Sequence, residues 1–426
     1  MSSNIPIHAP HCVVGVIGGG QLGRMIALAA RRMGVRTVIW TGGLEAPAVE
    51  CADEVIDKPF DDPLALADFC SRITVATVEF ENIPCETLEK VAQCTGLYPS
   101  PHAICITQNR EREKNFLREN NIPHTWYAVI SNATELAAAM QELSGPGVLK
   151  TADFGYDGKG QVKLEGDEDA AQIWAAFDAP RAVLEAWVPF EKELSVMAAR
   201  GADGVTVTYD PAENRHRHHI LDLSIIPARV SPAVALEAAA IARRVAEALD
   251  YRGILGVEFF LKTDGTLLVN EIAPRPHNSG HHTLDSCVTS QFAQQLRAVI
   301  GLPLGSTRLL TPVVMLNLLG DMWLDEMTPP DWLPLFADGE AHLHLYGKRH
   351  ARGRRKMGHA NFIGATTESA LARAEAIKDL WLACPGHFEI PARENDDTTP
   401  LDFRDTPSLP TSSANRRNPP PPSAIR

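Results

Sequence analysis

Gly256-Val-Glu-Phe-Phe-Leu-Lys-Thr-Asp-Gly-Thr-Leu-Leu-Val-Asn-Glu271 reads as two β-rich runs joined at Asp264-Gly265. An Asp-Gly step between such runs signals a hairpin with a two-residue loop. Folded about that loop, Thr263 faces Thr266, Leu261 faces Leu268, Phe259 faces Asn270 and Glu258 faces Glu271. Directly opposed residues have Cβ atoms about 4.5–5.5 Å apart, where like charges repel. Such a pair calls for a shared proton or a cation. Mg²⁺ takes oxygen ligands and commonly uses one or two carboxylates together with substrate phosphates. Asn270 adds an amide oxygen beside them. Two solvated acids on an edge strand, or a bulge that slips the register, are the bland alternatives.

Upstream, Val148-Leu-Lys150 reads as a strand leading into Phe154-Gly-Tyr-Asp-Gly-Lys-Gly-Gln161, with a second strand at Val162-Lys-Leu164. Three glycines in six residues can aim backbone N–H groups at phosphate oxygens, with Lys150 and Lys159 supplying charge. A flexible hairpin would look the same, and no G-x-x-x-x-G-K-[ST] run occurs in the chain. Ala182-Val-Leu-Glu-Ala-Trp-Val188 is an apolar strand followed by Glu193, a pattern that suits an adenosine pocket or a buried core strand.

At the other end of the chain, residues 13–17 read as a strand, Gly18-Gly-Gly-Gln-Leu-Gly23 as a turn, 24–33 as a helix and 35–40 as a second strand. This is a βαβ unit, which predicts an open parallel sheet that a strand over 73–78 continues. Gly18-x-Gly20-x-x-Gly23 matches the dinucleotide fingerprint, but the second strand ends in Ile39-Trp40-Thr41, without the acid that ribose recognition needs. Another phosphate ligand at the helix N-terminus is therefore expected, with a purely structural turn as the alternative. A charged helix over 109–120 opens the middle region. Ser231-Pro232 marks the start of an amphipathic helix carrying Val234, Ala238, Ile241, Val245 and Ala248.

With 426 residues, 45% of them apolar, the chain can build two or three domains. Its net charge of −13 argues against nucleic acid as a partner, and the basic stretch 348–356 has no interleaved aromatics. None of the eight cysteines forms a C-x-x-C pair, so reduced thiols of a cytoplasmic protein are expected. There is no signal-peptide pattern at the N-terminus and no apolar run of membrane-spanning length. The run Arg215-His-Arg-His-His219 lacks metal-ligand spacing and reads as solvated or nucleotide-facing. Eight prolines fall after residue 390, so the tail is expected to be disordered.

In this order, the lysine strand, glycine loop, Glu185-Ala-Trp-Val188, Glu193 and paired acids resemble the ATP-grasp fold. More narrowly, several stretches are similar to the N5-carboxyaminoimidazole ribonucleotide synthetase family. They are Gly18-Gly-Gly-Gln-Leu-Gly-Arg-Met25, Thr77-Val-Glu-Phe-Glu-Asn82, Gly155-Tyr-Asp-Gly-Lys-Gly-Gln161, Asn270-Glu-Ile-Ala-Pro-Arg275, His277-Asn-Ser-Gly-His281, Tyr346-Gly-Lys348 and Arg355-Lys-Met-Gly-His359. The resemblance spans residues 12–375.

It implies an α/β chain with an N-terminal parallel βαβ domain (12–108), a central ATP-grasp α+β domain (109–305), a small C-terminal β-rich domain (306–385) and a Pro/Ser-rich tail (386–426). The implied reaction has ATP phosphorylate bicarbonate to carboxyphosphate, which carboxylates aminoimidazole ribonucleotide. Mg²⁺ or Mn²⁺ would sit on Glu258 and Glu271. The implied ATP site comprises Arg110, Lys150, Gly155, Tyr156, Asp157, Gly158, Lys159, Gly160, Gln161, Glu185, Ala186, Trp187, Val188, Glu193, His216, Asn270 and Glu271. Arg275, His277 and Asn278, with Lys150, would act on bicarbonate or carboxyphosphate. Gln21, Leu22, Glu79, Tyr156, Lys348 and Arg355 would surround the ribonucleotide, its 5′-phosphate lying between the glycine helix and the C-terminal basic pair. Relatives of this kind suggest a homodimer. After Ile377 the sequence departs from the family's usual C-terminal packing, and were the last native helix or strand missing, stability or dimerisation would suffer.

Overall fold

The computed structural model describes residues 12–153 and 160–383. Five parallel strands form the first sheet, in the order Glu54–Ile56, Arg36–Trp40, Val13–Ile17, Val75–Val78, Gly96–Leu97. The order reverses between the third and fourth, and ligands of open α/β sheets sit in the crevice at such a reversal. The glycine turn leaves the strand Val13–Ile17 at that crevice and starts the helix Gln21–Arg32. Leu22, Met25, Ile26 and Ala30 on this helix pack against Phe292, Leu296 and Val299 of the helix Gln291–Val299, which ties the first sheet to the middle of the chain.

The central region is built on two antiparallel sheets. The smaller has the order Tyr127–Ile130, Ala182–Ala186, Gly147–Thr151, Gln161–Leu164. The larger has nine strands and begins at its edge with Leu267–Ala273, followed by Gly253–Lys262 and Phe190–Arg200. Helix Pro232–Ala248 is capped by Ser231, whose hydroxyl accepts the Val234 N–H, and buries Ala238, Ile241 and Val245 against the larger sheet. The expected third domain does not form a sheet of its own. Its strands Val313–Leu319, Lys356–Ile363 and Ala341–Leu345 extend the large sheet, because Val313–Leu319 pairs with Ile220–Ile226.

The hairpin departs from the expected register in an instructive way. Leu261 pairs with Leu267 and Phe259 with Val269, one residue off the two-residue-loop expectation. The loop has three residues, Thr263 to Gly265, closed by Lys262 N–H to Thr266 C=O at 2.9 Å and Gly265 N–H to Lys262 C=O at 2.9 Å. Gly265 sits at φ +85°, and the Asp264 carboxylate accepts the Thr266 N–H at 2.9 Å. Asp-Gly serves this bulged turn as well as the tighter one. A second irregularity then undoes the slip. Val257 pairs with Ile272, so Glu258 stands opposite both Asn270 and Glu271. The acids face each other, by way of a bulge.

One further expectation needs correction. Cys85 and Cys105 form a disulfide with Cα atoms 6.1 Å apart, so not every cysteine is a free thiol. The chain also continues in order past Ile377, as the helix Thr367–Leu382. Trp381 on that helix is 1% exposed, its ring 5.2 Å edge-on from Trp332, and its indole N–H donates to Asp331 C=O at 2.9 Å. The expected tail lies outside the described residues. Trp381→Ala should cost about 3–5 kcal/mol, the usual range for truncating a buried tryptophan. A urea-melting midpoint unchanged by the substitution would show that this last helix contributes nothing.

Candidate active site

The bulged edge of the large sheet carries the paired acids. Burial pushes Glu258 up to about 8, and the negative charge of Glu271 pushes the same way. His277 Nε2 lies 3.3 Å from Glu258 Oε1, and Arg110 reaches Glu271 at 3.9 Å. Ser195 pairs with Glu258 across the next strand, and Glu193 pairs with Phe260 two residues on. Glu193 Oε2 meets His216 Nδ1 at 2.5 Å. Burial works against a charge on His216, but Glu193 outweighs it and raises the imidazole's pKa. His218 and His219 lie in the turn between strands Ala212–Arg217 and Ile220–Ile226, exposed as the sequence suggested.

Across from this edge stands the smaller sheet. Lys150 Nζ lies 3.1 Å from Glu185 Oε1, and Lys114 Nζ lies 3.1 Å from Glu185 Oε2. Burial alone would keep Glu185 protonated, yet Lys114, Lys150 and Arg110 overcome it and hold the carboxyl down at about 2. Burial likewise lowers the pKa of Lys150, with Glu185 pulling it back. Glu185 therefore contributes a buried counter-ion as well as strand backbone. Ala186, Trp187 and Val188 follow it, Trp187 being half-exposed with Lys163 Nζ 4.5 Å from its ring centroid. Gly160, at φ +69°, and Gln161 re-enter the sheet opposite Lys150. The expected phosphate-loop residues Gly155, Tyr156, Asp157, Gly158 and Lys159 lie outside the described residues.

Between the two ends lies the segment after Glu271. Arg275 makes a bidentate ion pair with Glu81, its Nη2 at 2.7 Å from Oε1, so the residue expected to hold an anion already has a carboxylate partner. Burial opposes the charge on Arg275, but Glu81 raises its pKa further. Asn278 is buried with both side-chain amide atoms unpartnered. His277 is held neutral by burial, reinforced by nearby Arg275. Its Nδ1 meets Ser279 Oγ at 2.9 Å, and a buried relay continues through Ser195 and Asn214 to Ser224.

The glycine turn holds a surprise. Glu79 accepts the N–H groups of Gly20 at 2.8 Å and Gly23 at 3.1 Å, so the helix N-terminus is taken by a carboxylate of the chain itself. This corrects the expectation of a phosphate at those amides. A Cβ on Gly20 would come within 2.9 Å of Glu79 Oε1, which explains the glycine there. Burial raises the pKa of Glu79, partly offset by those two amides. Leu22 is buried in the core, while Gln21, the first residue of the helix, is half-buried beside the turn. Lys348 is pushed down to about 8 by burial and by its positive neighbours Arg355 and Lys356, with Glu45 and Glu79 opposing. Its Nζ donates to Lys356 C=O at 2.7 Å, and Arg355 pairs with Glu45.

The profile of the ATP-grasp domain matches residues 115–292, that of the ribonucleotide synthetase preATP-grasp domain residues 12–108, and that of the phosphoribosylaminoimidazole carboxylase C-terminal domain residues 313–373. An N5-carboxyaminoimidazole ribonucleotide synthase of Brucella melitensis is 44% identical over 360 residues, covering 84% of this chain and 98% of the relative. The chain belongs to the N5-carboxyaminoimidazole ribonucleotide synthetase family. An ADP complex of such a synthetase superposes with a TM-score of 0.80 at 41% identity, over 87% of this chain and 97% of that one. A synthase from Aspergillus clavatus in complex with ADP and 5-aminoimidazole ribonucleotide gives 0.78 at 31%, over 87% and 98%.

Within the synthetase fold, sequence reasoning missed Glu81, Glu113, Lys114 and the serine relay. Glu113 and Lys114 sit in a helix so rich in charge that it reads as solvated, yet they are 2% and 0% exposed. Burial pushes Glu113 up to about 7, with Lys114 pulling the other way. Glu185→Gln would leave two ammonium groups facing one neutral amide in the interior. A loss of about 3–5 kcal/mol is expected, as for other broken buried ion pairs. A chemical-denaturation midpoint equal to that of the wild type would show that this triad stabilises nothing.

Proposed function

We infer that this chain is an ATP-dependent carbon–nitrogen ligase that carboxylates the exocyclic amine of 5-aminoimidazole ribonucleotide, consuming bicarbonate and releasing ADP and phosphate. The observation that carries the reading is a run of ionisable groups along one wall. Glu258 contacts His277, Arg275 clasps Glu81, and Glu79 lies within electrostatic reach of both Arg275 and Lys348. A phosphoryl-transfer end and an acceptor end thus share one wall.

In the first step the γ-phosphoryl group of ATP passes to a bicarbonate oxygen, giving carboxyphosphate and ADP. In the second the amine attacks the carboxyl carbon, the bond to the phosphate oxygen breaks, and the amine loses one proton. Bicarbonate is a poor electrophile, and phosphorylation supplies the leaving group it lacks. Lys150 and Arg110 place positive charge against the ATP phosphates, and Glu193 with His216 forms a polar pair suited to the ribose. Arg275, aimed by Glu81, has guanidinium N–H groups left over for an anion, and the two free amide atoms of Asn278 offer a donor and an acceptor beside it. His277, neutral at working pH, adds no positive charge to the site.

The paired acids fit a divalent ion. Glu258 is forced upward by burial and by Glu271, and among the described residues no group of three or more His, Cys, Asp or Glu is arranged to hold a metal alone. Mg²⁺, which completes its shell with phosphate oxygens and water, suits such a two-carboxylate seat, as does Mn²⁺. Bound there with Asn270 beside it, the ion would neutralise charge on the transferring phosphoryl group. At the acceptor end, Lys348 and Arg355 hold the 5′-phosphate, while Glu79, with Gln21 beside it, faces the uncharged part of the ligand. We further propose residues 109–305 as the ATP-grasp unit and 306–385 as the small C-terminal unit, in a cytoplasmic homodimer as the family likeness suggests. The exposed Met327, Leu333 and Phe336 give apolar surface for a partner subunit.

ADP release should require bicarbonate and the ribonucleotide together. Release supported equally well by D-alanine or biotin would sink the reading. A pH profile tests the phosphate grip separately. Lys348 loses its charge as pH rises through about 8, so kcat/KM for the ribonucleotide should fall above that pH, by about tenfold per unit. In Lys348→Arg the cation persists, and the falling limb should move to higher pH. A limb that stays near pH 8 in that variant would assign it to another group.

A further inference from the structure

The strand Leu267–Ala273 forms the outer edge of the large sheet, so every second residue turns its N–H and C=O away from any neighbouring strand. A bulge at Asn270 and Glu271 loosens it further. Of the groups that would be left open, the Val269 N–H is taken by the Pro123 C=O at 2.8 Å, and two nearer the bulge are met by consecutive side chains of the helix Arg110–Glu119. Glu113 Oε1 accepts the Ile272 N–H at 2.7 Å, and Lys114 Nζ donates to the Asn270 C=O at 3.0 Å. The two contacts flank Glu271. The same ammonium pairs with Glu185 at 3.1 Å, and the other oxygen of Glu185 lies 3.1 Å from Lys150.

These contacts run without a break from the large sheet, through one helix, to the small sheet. Neither Glu113 nor Lys114 is exposed, so solvent competes with none of them. Lys114 is also shared between the two sheets, because its two oxygen partners belong to Ala182–Ala186 on one side and Leu267–Ala273 on the other. Displacing the edge strand would therefore pull on Glu185, and Glu185 would pull on Lys150.

We propose that Glu113 and Lys114 are positioning residues, which set the separation between the Lys150 ammonium and the Glu271 carboxylate and so align ATP phosphates with the divalent ion. The proposal rests on the reading of Glu258 and Glu271 as the metal-holding pair. A misplacement of about 1 Å among reacting groups can cost about 100-fold in rate. Removing either contact loosens the bulged edge strand on one side of Glu271, where a shift of that order would be felt.

The test compares Lys114→Met, Glu113→Leu, Glu113→Gln and Glu271→Gln with wild type. Steady-state kinetics and Mn²⁺ titration of the ATP-bound enzyme are the readouts, with circular dichroism to confirm folding. Lys114→Met and Glu113→Leu should lower kcat by about 100-fold and raise the half-saturating Mn²⁺ concentration, leaving KM for the ribonucleotide within about twofold. A merely structural role would not divide the parameters in that way. Glu113→Gln keeps an amide oxygen for the Ile272 N–H and should recover most of what Glu113→Leu loses. Folded Lys114→Met and Glu113→Leu with wild-type kcat overturn the proposal. Should Lys114→Met fail to fold, equal activity of Glu113→Leu and Glu113→Gln overturns it instead. Glu271→Gln separates the two claims. If it leaves the Mn²⁺ dependence unchanged, the metal reading falls and the proposal with it. If it shifts that dependence while the Lys114 and Glu113 variants do not, only the positioning claim fails.

Discussion

Two carboxyl groups brought face to face on a half-buried strand edge oppose folding while both are charged. At the spacing of opposed strand residues, in an effective dielectric of 20, the repulsion is about 3 kcal/mol. Glu258 and Glu271 are kept in that position by a bulged edge strand, and the surrounding side chains can be understood as a response to it. Arg110 approaches Glu271, and His277 approaches Glu258 as a neutral ring. Farther out the signs alternate: Arg275 against Glu81, then Glu79, then Lys348 and Arg355 against Glu45. A chain with a net charge of −13 thereby concentrates cations where the proposed reaction places phosphates. Together with burial, that repulsion raises Glu258 to about 8, so near neutral pH a proton relieves it, and in the proposed site a divalent ion would take that proton's place.

How far this was readable from sequence varies by residue, for physical reasons. The βαβ start, the Ser231 cap and the Asp-Gly hairpin are local signals, and the structure contains all three. The loop length is not legible, because Asp-Gly is compatible with two turn geometries that differ by one residue in register. The facing of the two acids survived only because the bulge at Asn270 and Glu271 shifted the ladder back. A bulge has no sequence signature here apart from the chemistry that requires it.

The less legible features depend on partners far along the chain. Glu79 closes the glycine turn from 56 to 59 residues away, so the turn looked like an empty anion site when read alone. Lys114 and Glu185 are 71 positions apart, and a helix written Arg-Glu-Arg-Glu-Lys gives no hint that two of its charges are interior. Near the other end, Leu380-Trp381-Leu382 read as a break with the family. Its order comes from Trp332 and the Asp331 carbonyl, contacts that reach back across some 50 residues. Pattern and propensity describe what a segment can do by itself, and these residues do nothing by themselves.

The join between the two halves of the site carries one further consequence. The first sheet ends its strand Val75–Val78 just before Glu79 and Glu81, and the large sheet ends its edge strand just before Arg275. An apolar contact there would fix distance alone. The bidentate pair of Arg275 with Glu81 fixes distance and direction together, since two parallel N–H···O contacts allow one orientation of a planar guanidinium. Two of its five N–H groups are consumed by Glu81 and one by the Pro276 carbonyl, leaving two whose aim is set. Under the proposed reading, Glu81 is the part that points Arg275 at an anion rather than a competitor for it. The same logic holds at the glycine turn, where Glu79 gives up the helix terminus as a phosphate seat and in exchange is itself held still. In both places an acid of the first sheet fixes its neighbours, so the acceptor end of the proposed site is built by anions and charged by cations brought from elsewhere in the chain.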